Sequence, residues 1–273
     1  MIGFKKGGDV KYSHRFLIDG REVGFYGNVN GSTDVKFNRV AMIASRYTEI
    51  VNKLRNIINS SKSIPTSIRY NCAVATLIIL KTGIRIGNED SAEGFYSEYK
   101  EKGKRVLAKT YGLTTMERNH IKISPNGIVS FDFIGKKHVD NHFVLDKELS
   151  QYVISIYQSG YDPVFNIDDY TLTKFIKDET SPYFSSKDFR TFRANVYGYR
   201  YLMSLPTPTD KKTYKESVKY VCTMVSKKLN NTPQVVKTSY IDPDLFVYNW
   251  GSEDQWDKEK KEYGGLIYGR HQV

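Results

Sequence analysis

From Phe37 onward, apolar residues recur at Val40, Ala44, Tyr47, Val51, Leu54 and Ile58, always three or four apart. That spacing predicts one helix of about six turns with a single buried face. The next stretch, "SIPTSIRYNCAVATLIILKTG", is apolar nearly all round in its middle and so predicts the central core helix. Pro65 is expected in its first turn, and Gly83 as its left-handed C-terminal cap. The period then changes to two. "HIKIS", "IVSFDFIG" and "HFVLD" alternate and are joined by "PNG" and "KKHVDN", which predicts three antiparallel strands with Lys136 and Lys137 in the second turn. Near the start, "RFLIDG" and "REVGFYGNVNG" read as a short hairpin or edge ribbon. After Asp146 the helical pattern returns over 147–159, 170–178, 187–204, 209–229 and 233–241, with Pro208 ahead of the fourth segment and Thr232-Pro233 as cap and first position of the last. The fold class is therefore mostly α with a small antiparallel β-sheet, an α+β arrangement without internal repeats.

Composition narrows the function. Cys72 and Cys222 are the only cysteines and both sit in apolar helical patterns, so they read as buried hydrophobes in a reducing compartment. No stretch approaches the roughly 20 apolar residues of a membrane span, and the first residues lack a signal-peptide core. These features predict an intracellular protein with no membrane association. The 41 Lys and Arg against 30 Asp and Glu give a net charge of +11. Residues 251–273 hold five acids and four bases, so the excess lies on the body of the chain and favours a polyanionic partner. The five histidines lack metal-ligand spacing, so no metal site is expected, and no P-loop is present.

Arg85 follows the core helix, Lys136 sits in the sheet turn, Arg190 lies in "SSKDFRTFRANVYGY", and Asn231 precedes Tyr240 in "LNNTPQVVKTSYIDP". A tyrosine attacking a phosphodiester must lose a proton from a phenol whose ordinary pKa is about 10. The pentacoordinate intermediate adds negative charge to the non-bridging oxygens, and arginine's planar fork suits those oxygens. The leaving oxygen needs a proton, which a lysine with neighbouring cations can supply.

In this order, and with the local wording "IRIGNE", "GLTT…HIKIS", "FIGKK", "KDFRTFRAN" and "NNTPQVVKTSYIDP", the chain resembles the type IB DNA topoisomerases, the small poxviral and bacterial members above all, over roughly residues 20–245. The resemblance implies that Tyr240 forms a 3′-phosphotyrosyl link while Arg85 and Arg190 clamp the scissile phosphate. Lys136 would protonate the leaving 5′ oxygen, and Asn231 would contact a phosphate oxygen as a neutral amide where poxviral members have histidine. It also implies a monomer acting on double-stranded DNA with no cofactor and no ATP, in a bacterial cytoplasm, virus factory or virion. Lys187, Lys137 and Arg193 would add DNA contacts, and Tyr26 in "FYG" matches a DNA-contacting aromatic. The implied division is a short β remnant of an amino-terminal clamp over 1–32, a catalytic domain over 33–248 and a tail over 249–273, with one or two strands ahead of the body and an open clamp. The stretch "NEDSAEGFYSEYKEKGKRVLAKTYG" reads equally as a DNA-facing flap or a solvated helix, and the tail, with Trp250 and Trp256, as a docking helix or a disordered extension.

Singly, each residue has an ordinary reading: Arg85 as a partner of its own helix end, Lys136 as a solvated turn lysine, Arg190 as part of an exposed basic face and Tyr240 as a half-buried aromatic. Their joint order outweighs these. A tyrosine recombinase shares the chemistry, but Lys187 stands where His-x-x-Arg is typical, and no separate helical DNA-binding domain fits before Arg85. A DNA-binding relative that has lost catalysis is the third possibility.

Overall fold

The computed structural model describes residues 2–6, 9–28, 34–94, 98–101, 104–206 and 210–246. In chain order the elements are β1 (Ile2–Lys6), β2 (Asp9–Ile18), β3 (Arg21–Asn28), α1 (Asp34–Ser45), α2 (Tyr47–Ser60), α3 (Ile68–Thr82), α4 (Glu89–Glu93), β4 (Glu98–Glu101), β5 (Lys104–Leu107), β6 (Ile121–Ile123), β7 (Val129–Gly135), β8 (Val139–Val144), α5 (Lys147–Tyr157), α6 (Asp169–Glu179), α7 (Ser186–Met203), α8 (Lys211–Leu229) and α9 (Pro233–Ser239). The mostly helical class with small antiparallel sheets is as the sequence predicts. The described residues fall into two compact units: those up to Tyr47 with those from Thr191 on, and Thr48–Arg190.

In the Thr48–Arg190 unit, α3 is the core. Every residue from Tyr70 to Leu80 is buried, and α5 and α6 pack on it. Ser67 caps its start by accepting from the Tyr70 amide at 3.2 Å, and Gly83 ends it at φ 76°. Pro65 lies ahead of this cap rather than in the first turn, and its carbonyl accepts from the Asn71 side chain at 2.8 Å. The sheet β6-β7-β8 is antiparallel, with β7 in the centre and Gly135 opposite Val139. Its alternate residues Val129, Phe131 and Phe133 are buried, as period two requires. The β7–β8 connection is shorter than "KKHVDN": Lys137 (φ 64°) and His138 (φ 57°) both adopt the left-handed conformation that a tight hairpin turn demands. The stretch that begins at Asn88 is not one solvated helix, because the short α4 is followed by the hairpin β4–β5.

The other unit contains a three-stranded antiparallel sheet, β1-β2-β3, where one or two strands were expected, and α1 packs on it. The long helix expected from Phe37 is interrupted at Arg46. The Arg46 amide still donates to the Met42 carbonyl at 3.2 Å, and Ser45 Oγ donates to the same carbonyl at 2.9 Å. Beyond Thr191, α8 and α9 pack together. Gly198 of α7 lies against Ile241 and Leu245, where an added Cβ would approach their methyl carbons to 2.9 and 2.8 Å. The expectations about the tail and Pro208 fall on residues outside those described.

Candidate functional site

Of the five residues expected to do the chemistry, Arg85, Lys136 and Arg190 belong to the Thr48–Arg190 unit, and Asn231 and Tyr240 to the other.

Arg85 sits in the extended segment that leaves the core helix. The Leu113 amide donates to the Arg85 carbonyl at 2.9 Å, and the Thr114 amide to the Ile86 carbonyl at 2.7 Å. Thr114 Oγ1 adds a bond to the same Ile86 carbonyl at 3.0 Å. The two backbones come so close that a Cβ on Gly112 would lie 2.4 Å from the Gly87 nitrogen, while Gly87 itself has φ +105°. "IRIG" and "GLTT" are thus two halves of one structure that fixes the backbone of Arg85. Sequence reading found both phrases but not their pairing.

Arg190 is delivered by the first turns of α7. Ser185 and Asp188 cap that helix reciprocally: the Asp188 amide donates to Ser185 Oγ at 3.3 Å, and the Ser185 amide to Asp188 Oδ2 at 3.0 Å. Arg190 is 3% exposed, and its Nη1 donates to the Gly83 carbonyl at the cap of α3. The structure therefore brings Arg190 to the segment that carries Arg85. Lys187, in the first turn, is exposed. Lys136 and Lys137 are exposed at the β7–β8 turn, directly after Gly135, where an added Cβ would meet Asn141 Nδ2 at 2.3 Å.

Tyr240 is the C-terminal cap residue of α9 and is 5% exposed. The linker before it has a backbone reason for each residue of "NNTP". Asn230 ends α8 in the left-handed conformation, the Asn231 amide donates to the Ser226 carbonyl at 3.0 Å, Thr232 caps the Val235 amide, and Pro233 opens the helix. Asn195 of α7, 3% exposed, brackets the backbone of Tyr240: Nδ2 donates to the Tyr240 carbonyl at 2.8 Å and Oδ1 accepts from the Asp242 amide at 2.8 Å. Asn195 lies inside "KDFRTFRAN" but escaped the sequence reading, because its partners are 45 and 47 residues away.

Two expected DNA contacts stand differently. Arg193 is 1% exposed and pairs with Asp19 at 2.7 Å, among the rings of Tyr47, Phe192 and Tyr197. Its guanidinium is engaged inside the protein, which removes it from a DNA-facing surface. Burial pushes the Asp19 carboxyl up, but the Arg193 charge, hydrogen bonds from Tyr47 and Arg193, and the Arg200 charge together hold it below its ordinary value. The Tyr47 phenol is raised, chiefly by burial. Tyr26 lies in β3 opposite Ser13, and its side chain is outside the described residues. Among the described residues no group of His, Cys, Asp and Glu could hold a metal, and no helix is long and apolar enough to cross a membrane.

The sequence pattern of the family described as "Eukaryotic DNA topoisomerase I, catalytic core" matches residues 28–246. A "DNA topoisomerase 1B" of Acanthamoeba polyphaga mimivirus is 32% identical over 161 residues, 51% of this chain and 47% of its own. The "DNA topoisomerase 1B" of Vaccinia virus (strain Copenhagen) and the "DNA topoisomerase I" of Monkeypox virus are each 28% identical over 243 residues, 81% of this chain and 67% of theirs. The chain thus spans about half the length of the mimivirus relative and about two thirds of the poxviral ones. Since the family match runs from β3 to the last described residue and takes in all five candidate residues, the chain belongs to the type IB DNA topoisomerases.

Proposed function

We propose that this chain relaxes positive and negative supercoils in double-stranded DNA by transient cleavage of one strand. The observation that carries this reading is the way Tyr240 is held, at the end of a capped helix and with its backbone bracketed by Asn195. Tyr240 Oη attacks the scissile phosphorus and displaces the 5′ oxygen, leaving a 3′-phosphotyrosyl bond. Arg85 and Arg190 bind the non-bridging oxygens as their charge grows. Lys136 gives a proton to the departing 5′ oxygen. Asn231 donates from a neutral amide, so its contribution does not titrate. Because the phosphotyrosyl bond conserves the energy of the broken phosphodiester, the freed strand swivels and is resealed without ATP.

In this reading residues 33–248 carry catalysis, and Lys187, Lys137 and Tyr26 contribute DNA contacts. Residues 1–32 form a short clamping element and 249–273 a tail. The protein acts as a DNA-associated monomer and requires no cofactor.

The test is relaxation of plasmids supercoiled in either sense, in EDTA without ATP, with detergent-trapped samples checked for protein on the 3′ end of the nick. Relaxation of both signs with an adduct lost in Tyr240→Phe supports the proposal. An adduct confined to paired sites without relaxation would mean recombination, and no adduct at all would mean a binding protein.

A further inference from the structure

We infer that Lys36 is a positioning residue for the Tyr240 nucleophile, acting as the cation that closes the carboxyl end of α9. The inference rests on the cleavage reading above and adds to it a residue far from the five in sequence.

The last carbonyls of a helix have no acceptor role within it and need outside donors. Around Tyr240 the backbone groups are held in turn. The amides of Tyr240 and Ile241 both donate to the Val236 carbonyl at 3.0 Å, and the Asp242 amide and Tyr240 carbonyl are taken by Asn195. The carbonyl immediately before the nucleophile, that of Ser239, accepts from Lys36 Nζ, 203 positions away in sequence. An ammonium donor makes a stronger bond to a carbonyl than a neutral group and complements the negative end of the helix dipole. The same ammonium lies 4.4 Å from the centroid of the Phe37 ring, a second contact that restricts where it can go.

Lys36 is carried by α1, a helix packed on β2 and β3, so the ammonium comes from a rigid element. Two helices, α1 and α7, therefore hold the consecutive carbonyls of residues 239 and 240. An in-line attack requires the phenol oxygen within about 3–3.5 Å of phosphorus and aligned, and a misplacement of about 1 Å can cost about 100-fold. Loosening the end of α9 should slow strand cleavage while leaving the DNA-binding surface intact.

The experiment compares the full wild-type chain with Lys36→Met, which keeps the length and loses the charge, and Lys36→Arg, which keeps the charge. Single-turnover formation of the 3′ adduct on duplex DNA, DNA affinity, and hydrogen exchange at the Tyr240 and Ile241 amides are measured for each. We expect Lys36→Met to cleave about 10- to 100-fold more slowly with affinity changed less than about threefold, its two amides to exchange faster, and Lys36→Arg to recover most of both. Wild-type cleavage in Lys36→Met, or a loss only in proportion to affinity, overturns the inference. If the wild type itself forms no adduct, the topoisomerase reading fails, and the exchange rates decide the positioning role alone: unchanged protection in Lys36→Met rejects it.

Discussion

Asn195 does with one carboxamide what no other side chain of its size can do, because it must donate to the Tyr240 carbonyl and accept from the Asp242 amide at once. Asn195→Asp keeps the acceptor and loses the donor. It should slow adduct formation by about 10- to 100-fold through misplacement of the phenol, and should destabilise the fold by about 1–3 kcal/mol because a buried polar group loses its partner. Single-turnover cleavage and urea unfolding read the two effects separately, and wild-type cleavage would refute the positioning role. Arg190 and Arg193 make the complementary point. They are three residues apart on one helix, and the sequence pattern assigns both to DNA, yet Arg193 is paired with Asp19, 174 positions away. Periodicity identifies which residues share a helix face. It contains no information about which distant carboxylate meets that face, so the helix that carries "KDFRTFRAN" was legible and its internal bonds were not.

At the scale of elements, helix caps were the most legible feature. Gly83 and Thr232-Pro233 stand where local rules put them, since a cap depends only on neighbours within one turn. The break at Arg46 was hidden because the apolar spacing continues across it, from Ala44 to Tyr47 and Val51. The close approach of Gly87 and Gly112 predicts a contrast. A Cβ at Gly112 would strike backbone at 2.4 Å, whereas one at Gly198 would meet only side-chain methyl carbons at 2.8 and 2.9 Å. Gly112→Ala should therefore cost about 1–3 kcal/mol and slow cleavage by shifting Arg85, and Gly198→Ala should cost less. Equal unfolding midpoints for the two variants would defeat the argument. The start of α5 predicts a pH effect. Glu148 accepts from Arg55 at 2.6 and 2.8 Å and from Lys81 at 2.9 Å, and these hydrogen bonds, the Arg55 pair first, hold its carboxyl at about 2, below the ordinary 4.5. A depressed carboxylate stabilises the fold fully above its unfolded value, and that stabilisation is lost as pH falls from about 4.5 towards 2. Glu148→Gln should remove part of the acid slope of unfolding in this window and leave the slope above pH 5 alone; an unchanged acid slope would count against the pairing.

For the whole molecule, the +11 charge pointed to a polyanion, but charge counting treats every base as available. The structure sorts them. Arg193 has a side chain 1% exposed, and its partner Asp19, at 33%, keeps a third of its surface in water. Breaking a fully buried pair costs about 3–5 kcal/mol, and the water around Asp19 puts Arg193→Met near the lower end, about 3 kcal/mol. Lys187, in the first turn of α7, is exposed. If it meets a DNA phosphate, each such contact releases condensed counterions and adds about 0.9 to the slope of log affinity against log salt. Lys187→Ala should then lower that slope by about one unit with an unfolding midpoint near wild type. Arg193→Met should unfold at lower urea with the slope unchanged. Measured at several salt concentrations below the unfolding range, the two variants separate charge that binds from charge that folds. A fall in slope in Arg193→Met would return that arginine to the DNA surface and would require the Asp19 pair to open when DNA arrives.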